Sequence, residues 1–354
     1  MVFAQSDLQP VAIVRMTKSE AITVKHLKTE IEKVVWQNLI QTLRRVPTAA
    51  ELTKAAQSTN VEQRRQILDM MINERLALQA AERDNASFGG RFSITDNMLN
   101  QQIQQLKAQM AQAAGRQPTE DEFAQAIKNE TGQDYPVFRE SLRRQSIVQE
   151  YLKAKKENQF KNIKEPTEAE IINYYNLSKA QFIRPDTVRF SMIQVPYGQD
   201  TASKTKAKEQ ADRLIREIGS SASKFDEAVM KGQSPNAAYQ AGDGGYLPRN
   251  VQAQQAAGSE FINAAFALKQ GEVSKVIDGI QGYQIIKITE TYSQKALELD
   301  DIVQPGSRIT VRQYIGQNLF QQRQQEVLAV ATQELVTELR AGNSFQIMEN
   351  NLNW

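Results

Sequence analysis

Apolar residues recur at helical spacing along most of this chain, and in one region they alternate or run together instead. Val11-Ala12-Ile13-Val14-Arg15-Met16 reads as a short strand. Ile31, Val34, Val35 and Leu39 mark one face of the helix that follows, with Thr23 placed to cap it. A second helix is expected over 49–56. A third spans 61–81, with Leu68, Met71, Ile72 and Leu76 on one face. Residues 84–90 read as a loop, and Ser93 and Asp96 open the next helix, whose stripe is Leu99, Ile103, Leu106 and Met110. Thr119 with Glu122 and Thr167 with Glu170 are capping boxes; they start helices carrying Phe123 and Ile127, and Ile171, Tyr174 and Tyr175. Between them a long helix is expected over 135–159, and its basic end (Lys153, Lys155, Lys156) suits the helix dipole.

The period changes at residue 188. Val188-Arg189-Phe190-Ser191-Met192-Ile193-Gln194-Val195 alternates as a strand does. Helical patterns over 204–218 and 224–230 lead to a turn-rich loop at 232–236 and to Gly242-Asp243-Gly244-Gly245-Tyr246-Leu247. A helix over 260–268 precedes Gly271-Glu272-Val273-Ser274, and Gly282-Tyr283-Gln284-Ile285-Ile286-Lys287-Ile288 is a near-continuous apolar strand. That order in about a hundred residues is one compact α/β domain. Residues 293–306 read as a linker with an acidic centre at Glu298, Asp300 and Asp301, which solvate it rather than act as paired catalytic carboxylates.

A helix over 309–340 carries Val311, Ile315 and Leu319, later Leu328, Ala331, Leu335 and Leu339. The stripe shifts phase over 321–326, which implies a kink or a change of packing partner. After the stop signal Ala341-Gly342-Asn343, residues 344–348 form a last strand. Neither terminal strand has a local partner, so the two are expected to pair and to bring the C-terminal helix onto the N-terminal helices.

Composition narrows the chemistry. Forty-three basic and forty-one acidic residues in 354 give a net charge of +2, which argues against a dedicated nucleic-acid binder. There is no cysteine and one histidine, His26, so cysteine-based zinc sites, iron–sulfur ligation and thiol catalysis are excluded. Neither a Gly-x-Gly-x-x-Gly after a strand nor a phosphate-binding Gly-Lys-Ser/Thr occurs, and no cofactor is expected. No run of eighteen apolar residues suggests a membrane span. Val2-Phe3-Ala4 has the spacing of a signal-peptidase site; read as the tail of a removed export signal behind an added Met1, and not as an ordinary frayed terminus, it implies a periplasmic or other extracytoplasmic location.

The α/β region resembles the parvulin family of peptidyl-prolyl isomerases at Arg189-Phe190-Ser191, Gly242-Asp243-Gly244-Gly245-Tyr246, the run from Phe261 to Ser274, and Gly282-Tyr283-Gln284-Ile285-Ile286-Lys287. The resemblance implies a catalytic set that this chain lacks. Met192 and Gln284 stand where the family has histidines, Ser234 where it has Cys or Asp, and Gly279 where it has threonine. Of the family's proline-pocket lining, Phe261 is retained, whereas the Leu position falls at Gly244 and the Met position at Ala257, so the pocket is expected to have lost apolar lining as well. Phe261, Tyr246, Leu247 and Ala257 are the expected substrate-binding residues.

Across most of its length the order of elements is similar to the SurA and PrsA group of extracytoplasmic folding factors. The residues that carry this include Arg65-Gln66-Ile67-Leu68-Asp69-Met70-Met71-Ile72-Asn73-Glu74-Arg75-Leu76, Phe138-Arg139-Glu140 and Glu170-Ile171-Ile172-Asn173-Tyr174-Tyr175. The fold class expected is α+β multidomain: a mostly helical, discontinuous chaperone module with an inserted parvulin-like α/β domain. The domains would be 1–184 (helical chaperone), 185–292 (parvulin-like), 293–306 (linker) and 307–354 (C-terminal helix and strand on the N-terminal module).

The function implied is a chaperone for unfolded outer-membrane or secreted clients, with a catalytically silent parvulin-like domain. The alternative is an active prolyl isomerase in which Gln284 and Ser234 supply hydrogen bonds. Partners are unfolded polypeptides, with no nucleic acid and no integral membrane span; the helical arms and terminal strand would permit a homodimer by strand or helix exchange.

Overall fold

A computed structural model describes residues 7–197, 200–234 and 236–354, the side chains of residues 113 and 114 aside; the Val2-Phe3-Ala4 motif lies outside these. The hairpin β1 (Pro10–Arg15) and β2 (Ser19–Thr23) is followed by α1 (Val24–Leu43), α2 (Ala49–Gln57), α3 (Val61–Asp84), α4 (Asp96–Ala114), α5 (Glu120–Thr131), α6 (Tyr135–Lys155) and α7 (Glu157–Lys161). Next come α8 (Glu168–Ser178), β3 (Ile183–Arg184), β4 (Thr187–Pro196), α9 (Thr201–Ile218), α10 (Ala222–Gly232), β5 (Gln240–Pro248), α11 (Val251–Ala257), α12 (Ser259–Ala267), β6 (Ile277–Asp278), β7 (Gly282–Tyr292) and β8 (Lys295–Ala296). The chain closes with α13 (Val311–Ala341) and β9 (Phe345–Ile347). Helices predominate, and the chain divides into two compact units, Met1–Ile163 with Arg323–Trp354, and Lys164–Gln322.

The helix starts are written locally. α2, α5 and α8 each begin at a threonine whose hydroxyl takes the N3 amide proton while the N3 glutamate takes the threonine's: Thr48 with Glu51, Thr119 with Glu122, Thr167 with Glu170. Each threonine follows a proline and, two residues further back, a cation: Arg45, Arg116 and Lys164. Arg45 reaches Glu51 at 2.6 Å and Arg116 reaches Glu122 at 2.5 Å. At α1 the reciprocal partner of Thr23 is His26, whose Nδ1 accepts the Thr23 amide proton at 3.3 Å, so the one histidine serves as a cap. Thr95, and not Ser93 or Asp96, caps α4, because its hydroxyl takes the Met98 amide proton. The long helix expected over 135–159 breaks at Lys156, whose ammonium is drawn to Glu338 at 2.7 Å and Glu334 at 3.0 Å.

In the first unit β1 is the central strand of a sheet ordered β2-β1-β9, antiparallel to both neighbours, with Ala12 opposite Ile22 and Ile347. A strand covered on both sides needs a continuous apolar run, which Val11, Ala12 and Val14 supply, all fully buried. Around it pack Leu27 and Ile31 of α1, Leu68, Ile72 and Leu76 of α3, Tyr151 of α6, and Ala331, Leu335 and Leu339 of α13. Buried Gln79 closes the hairpin: its Oε1 accepts the amide protons of Met16 and Thr17, each at 3.0 Å. Leu99 and Ile103 of α4 form a second, smaller core with Phe123 and Ile127 of α5. Met71 is buried and Met110 partly so, whereas Met70 and Met98 are exposed.

In the second unit a four-stranded antiparallel sheet, β5-β4-β7-β6, has α9 and α10 on one face and α12 on the other. A smaller core joins Ile171 and Tyr175 of α8 and Phe182 to Leu297, Val311 and Ile315, beside the ribbon β3–β8. Residues 164–184 and 307–322 therefore pack with the sheet-containing unit, not with the N-terminal helices. The linker expected over 293–306 is likewise structured: Leu297 is buried, Asp301 pairs with Lys295 at 2.6 Å, and Asp300 pairs with Arg312 at 3.0 Å. The phase shift in α13 is a change of partner, from the core of Ile171 before it to the core of Leu76 after it.

Candidate functional site

Alternation along the two central strands decides which residues can meet. On β4, Ile193 and Val195 face α9 and α10, while Val188, Phe190 and Met192 face α12. On β7, Tyr283 and Ile285 face α9 and α10, while Ile286 and Ile288 face α12, which puts Gln284 on the α12 side too. β4 and β7 pair with Met192 opposite Ile286 and Gln194 opposite Gln284. Met192 and Gln284 thus share one face, two residues apart in register.

On that face lies a cavity of about 270 Å³. Phe190 and Met192 of β4, Gly244, Tyr246 and Leu247 of β5, Ala256 and Ala257 of α11, Phe261 of α12, Ile280 and Gln281 of the β6–β7 turn, and Gln284 of β7 line it. The four residues expected to bind substrate, Tyr246, Leu247, Ala257 and Phe261, are all among them, as are Met192 and Gln284. Ser234 is not; it follows α10, with its amide donated to the Lys231 carbonyl at 3.3 Å. Gly279 stands behind Gln284: a Cβ on it would come within 2.4 Å of Gln284 Oε1. That oxygen is buried and has no hydrogen-bond partner among the described residues.

Sequence reasoning missed Phe190, Ala256, Ile280 and Gln281. Phe190 overturns one expectation, that the pocket has lost its apolar lining. Its ring lies where a side chain at position 244 would be, 2.1 Å from a hypothetical Gly244 Cβ, and meets the Phe261 ring edge-on at 5.3 Å. The apolar volume is supplied from β4 instead of β5. Its signal was the period-two alternation, which assigns Phe190 to the same face as Met192.

The glycine-rich segment has a geometric reason. β5 carries one extra residue, since Phe190 pairs with Gly245 and Ser191 with Asp243, so Gly244 bulges. Gly245 takes φ +77°, a conformation that favours glycine. Asp243 Oδ1 accepts the Gly245 amide proton at 2.9 Å, and Arg189 bridges Asp243 at 2.6 Å and Glu290 at 2.9 Å. The Arg189 guanidinium and the Gly245 amide hold the Asp243 carboxyl below the usual carboxylate range; the Tyr292 hydroxyl and then Arg189 do the same for Glu290. These charges are spent on fixing the bulge.

Around the cavity itself no carboxylate, imidazole or amine side chain is found. What this arrangement can do is receive an uncharged, apolar side chain against aromatic and aliphatic walls, with two carboxamides in the lining.

The family model for the PPIC-type PPIASE domain matches residues 166–304. The chain is 28% identical over 282 residues to the chaperone SurA of Methylobacillus flagellatus, covering 78% of this chain and 56% of that protein. It is 26% identical over 312 residues to the foldase protein PrsA of Clostridium botulinum, covering 85% of this chain and 79% of that one. The chain therefore spans little more than half the length of this SurA. Among solved structures, a SurA-like chaperone of Campylobacter jejuni is 12% identical, covers 96% of this chain and 99% of its own, and superposes with a TM-score of 0.35. The match to the PPIC-type PPIASE domain over residues 166–304 thus lies in a chain that is similar to SurA and PrsA proteins along most of its length.

Proposed function

We propose that the protein is an extracytoplasmic folding chaperone whose PPIC-type domain holds segments of unfolded client chains without catalysing prolyl isomerisation. The observation that carries this reading is the cavity wall: aromatic and aliphatic on its sides, uncharged throughout, with Met192 and Gln284 where the family's histidines would stand. Isomerisation has a barrier of about 20 kcal/mol, which an enzyme lowers by gripping a twisted amide with positioned polar groups. Gln284, whose Oε1 is packed against Gly279, is poorly placed to serve as one. Binding needs only the apolar walls. Clients are unfolded outer-membrane or secreted polypeptides, and the setting is the periplasm or its equivalent. Among the described residues no helix is long and apolar enough to cross a membrane.

The experiment is a prolyl isomerisation assay on a short peptide panel, run beside peptide binding. The expected result is saturable binding with no acceleration over the uncatalysed rate. Acceleration by the natural sequence would overturn the catalytic half of the proposal. Absence of binding to both peptides and an unfolded protein would overturn the chaperone half.

A further inference from the structure

We infer that Tyr197, which does not line the cavity, is a positioning residue that sets its mouth by holding the turn that carries Ile280 and Gln281; this rests on the peptide-binding reading of the pocket. The turn, Asp278-Gly279-Ile280-Gln281-Gly282, joins β6 to β7. Ile280 is 61% exposed, a large apolar side chain left in solvent at a cavity rim. It spans the mouth to the junction of α11 and α12, where a Cβ on Gly258 would lie 3.7 Å from its Cγ1. Gly258 itself takes φ +89°.

With two glycines, the turn has little stiffness of its own. Internally it has one backbone bond, from the Gly279 amide to the Gly282 carbonyl at 3.0 Å. Its ends are held by strand pairing, Asp278 with Tyr283 and Gly282 with Pro196, and its middle is held by Tyr197, the residue after β4. The Tyr197 amide donates to the Gln281 carbonyl at 3.1 Å, and its hydroxyl proton is shared between the Asp278 carboxylate and the Gly279 carbonyl, the latter at 2.8 Å. The ring is held in turn, edge-on to Tyr283 at 5.2 Å and with Lys204 Nζ 4.5 Å from its centroid. Burial and the Asp278 carboxylate push the phenol up, so the hydroxyl keeps its proton.

One side chain and its amide thereby fix three of the five turn residues. Ile280 is presented already placed over the opening, and a bound peptide has less disorder to remove when it buries it. Without the hydroxyl the turn relaxes and Ile280 must be ordered at the moment of binding.

The test uses the full chain and a dansylated Ala-Ala-Leu-Pro-Phe-Ala peptide, with binding read by fluorescence anisotropy well below each variant's thermal midpoint. Ala257→Glu, which puts a charge in the pocket, is the control for where the peptide sits. Tyr197→Phe should weaken binding about fivefold and Ile280→Ala about tenfold. The double variant should be no weaker than Ile280→Ala alone, because Tyr197 acts through Ile280. Asp278→Asn, which keeps an acceptor for the hydroxyl, should stay within about twofold of the natural chain. Additive losses, or unchanged affinity in Tyr197→Phe while Ala257→Glu and Ile280→Ala weaken binding, would overturn the inference and leave the pocket reading standing. Unchanged affinity in Ala257→Glu and Ile280→Ala would overturn both.

Discussion

Phe190 and Gly244 share one volume: a Cβ on the glycine would sit 2.1 Å from Phe190 Cε2. The two positions are therefore coupled. Gly244→Leu in the natural background should destabilise the second unit by about 1–3 kcal/mol, the usual cost of overpacking. Adding Phe190→Ala should recover most of it. Chemical denaturation of the two single variants and the pair measures the coupling; simple additivity would show that the ring moves aside freely.

Gln284 and Gly279 form a second such pair. Gly279→Thr would drive a side chain into the Gln284 carboxamide and, at 3.0 Å, toward the Gly282 carbonyl. It should lower the thermal midpoint of the second unit, and Gln284→Ala should restore part of the loss but not all, because the backbone contact remains. Differential scanning fluorimetry on the four chains reads this.

Gln79 should tolerate little. Its Oε1 takes two amide protons at the β1–β2 turn, and Gln79→Leu would leave both without an acceptor. The expected cost is about 1–3 kcal/mol, read from the urea dependence of the far-ultraviolet signal.

Acid should weaken the first unit through its helix starts. Hydrogen bonds from Arg45 and the Thr48 amide bring the Glu51 carboxyl from an ordinary 4.5 down to about 2, and Arg116 and the Thr119 amide do the same for Glu122. A carboxyl whose pKa is depressed by folding adds stability above its unfolded value and loses it as pH falls through the folded one. The contribution is thus complete above about pH 4.5 and fades toward pH 2. Both groups are solvent-exposed, so the effect is modest and salt should reduce it. Glu51→Gln with Glu122→Gln should flatten the acid limb of a plot of thermal midpoint against pH.

Much of this was legible in the chain because it is local. The capping boxes at Thr119 and Thr167 are four-residue signals, and the Leu99–Ile103 stripe needs only one helix to be read. The phase shift in α13 left a kink and a change of partner open, and it is the change of partner that occurs, because each core selects its own face. What escaped depends on partners far away. β2 has one buried residue, Ile22, and without β1 opposite it the segment has no strand pattern. β3 and β8 are two residues each and exist through pairing across more than a hundred residues of chain. At the site, the resemblance marked Met192 and Gln284 and the pairing of β4 with β7 puts them on one face, while Ile280 and Gln281 sit on a turn, where no period operates. Phe190 was visible as a strand residue, but only the bulge at Gly244 makes it a wall of the pocket.

The position of β1 also has a consequence in time. Residues 164–322 are continuous in sequence, so the sheet-containing unit can fold as soon as that stretch has been made. The first unit cannot. Its central strand waits for a neighbour more than three hundred residues downstream, since Ala12 pairs with Ile347. Until then one edge of β1 is open and the surfaces that α13 covers are bare, which is the state in which strands recruit other strands. A molecule that resembles folding helpers thus spends part of its own synthesis with an exposed apolar edge, closed only by a segment made more than three hundred residues later.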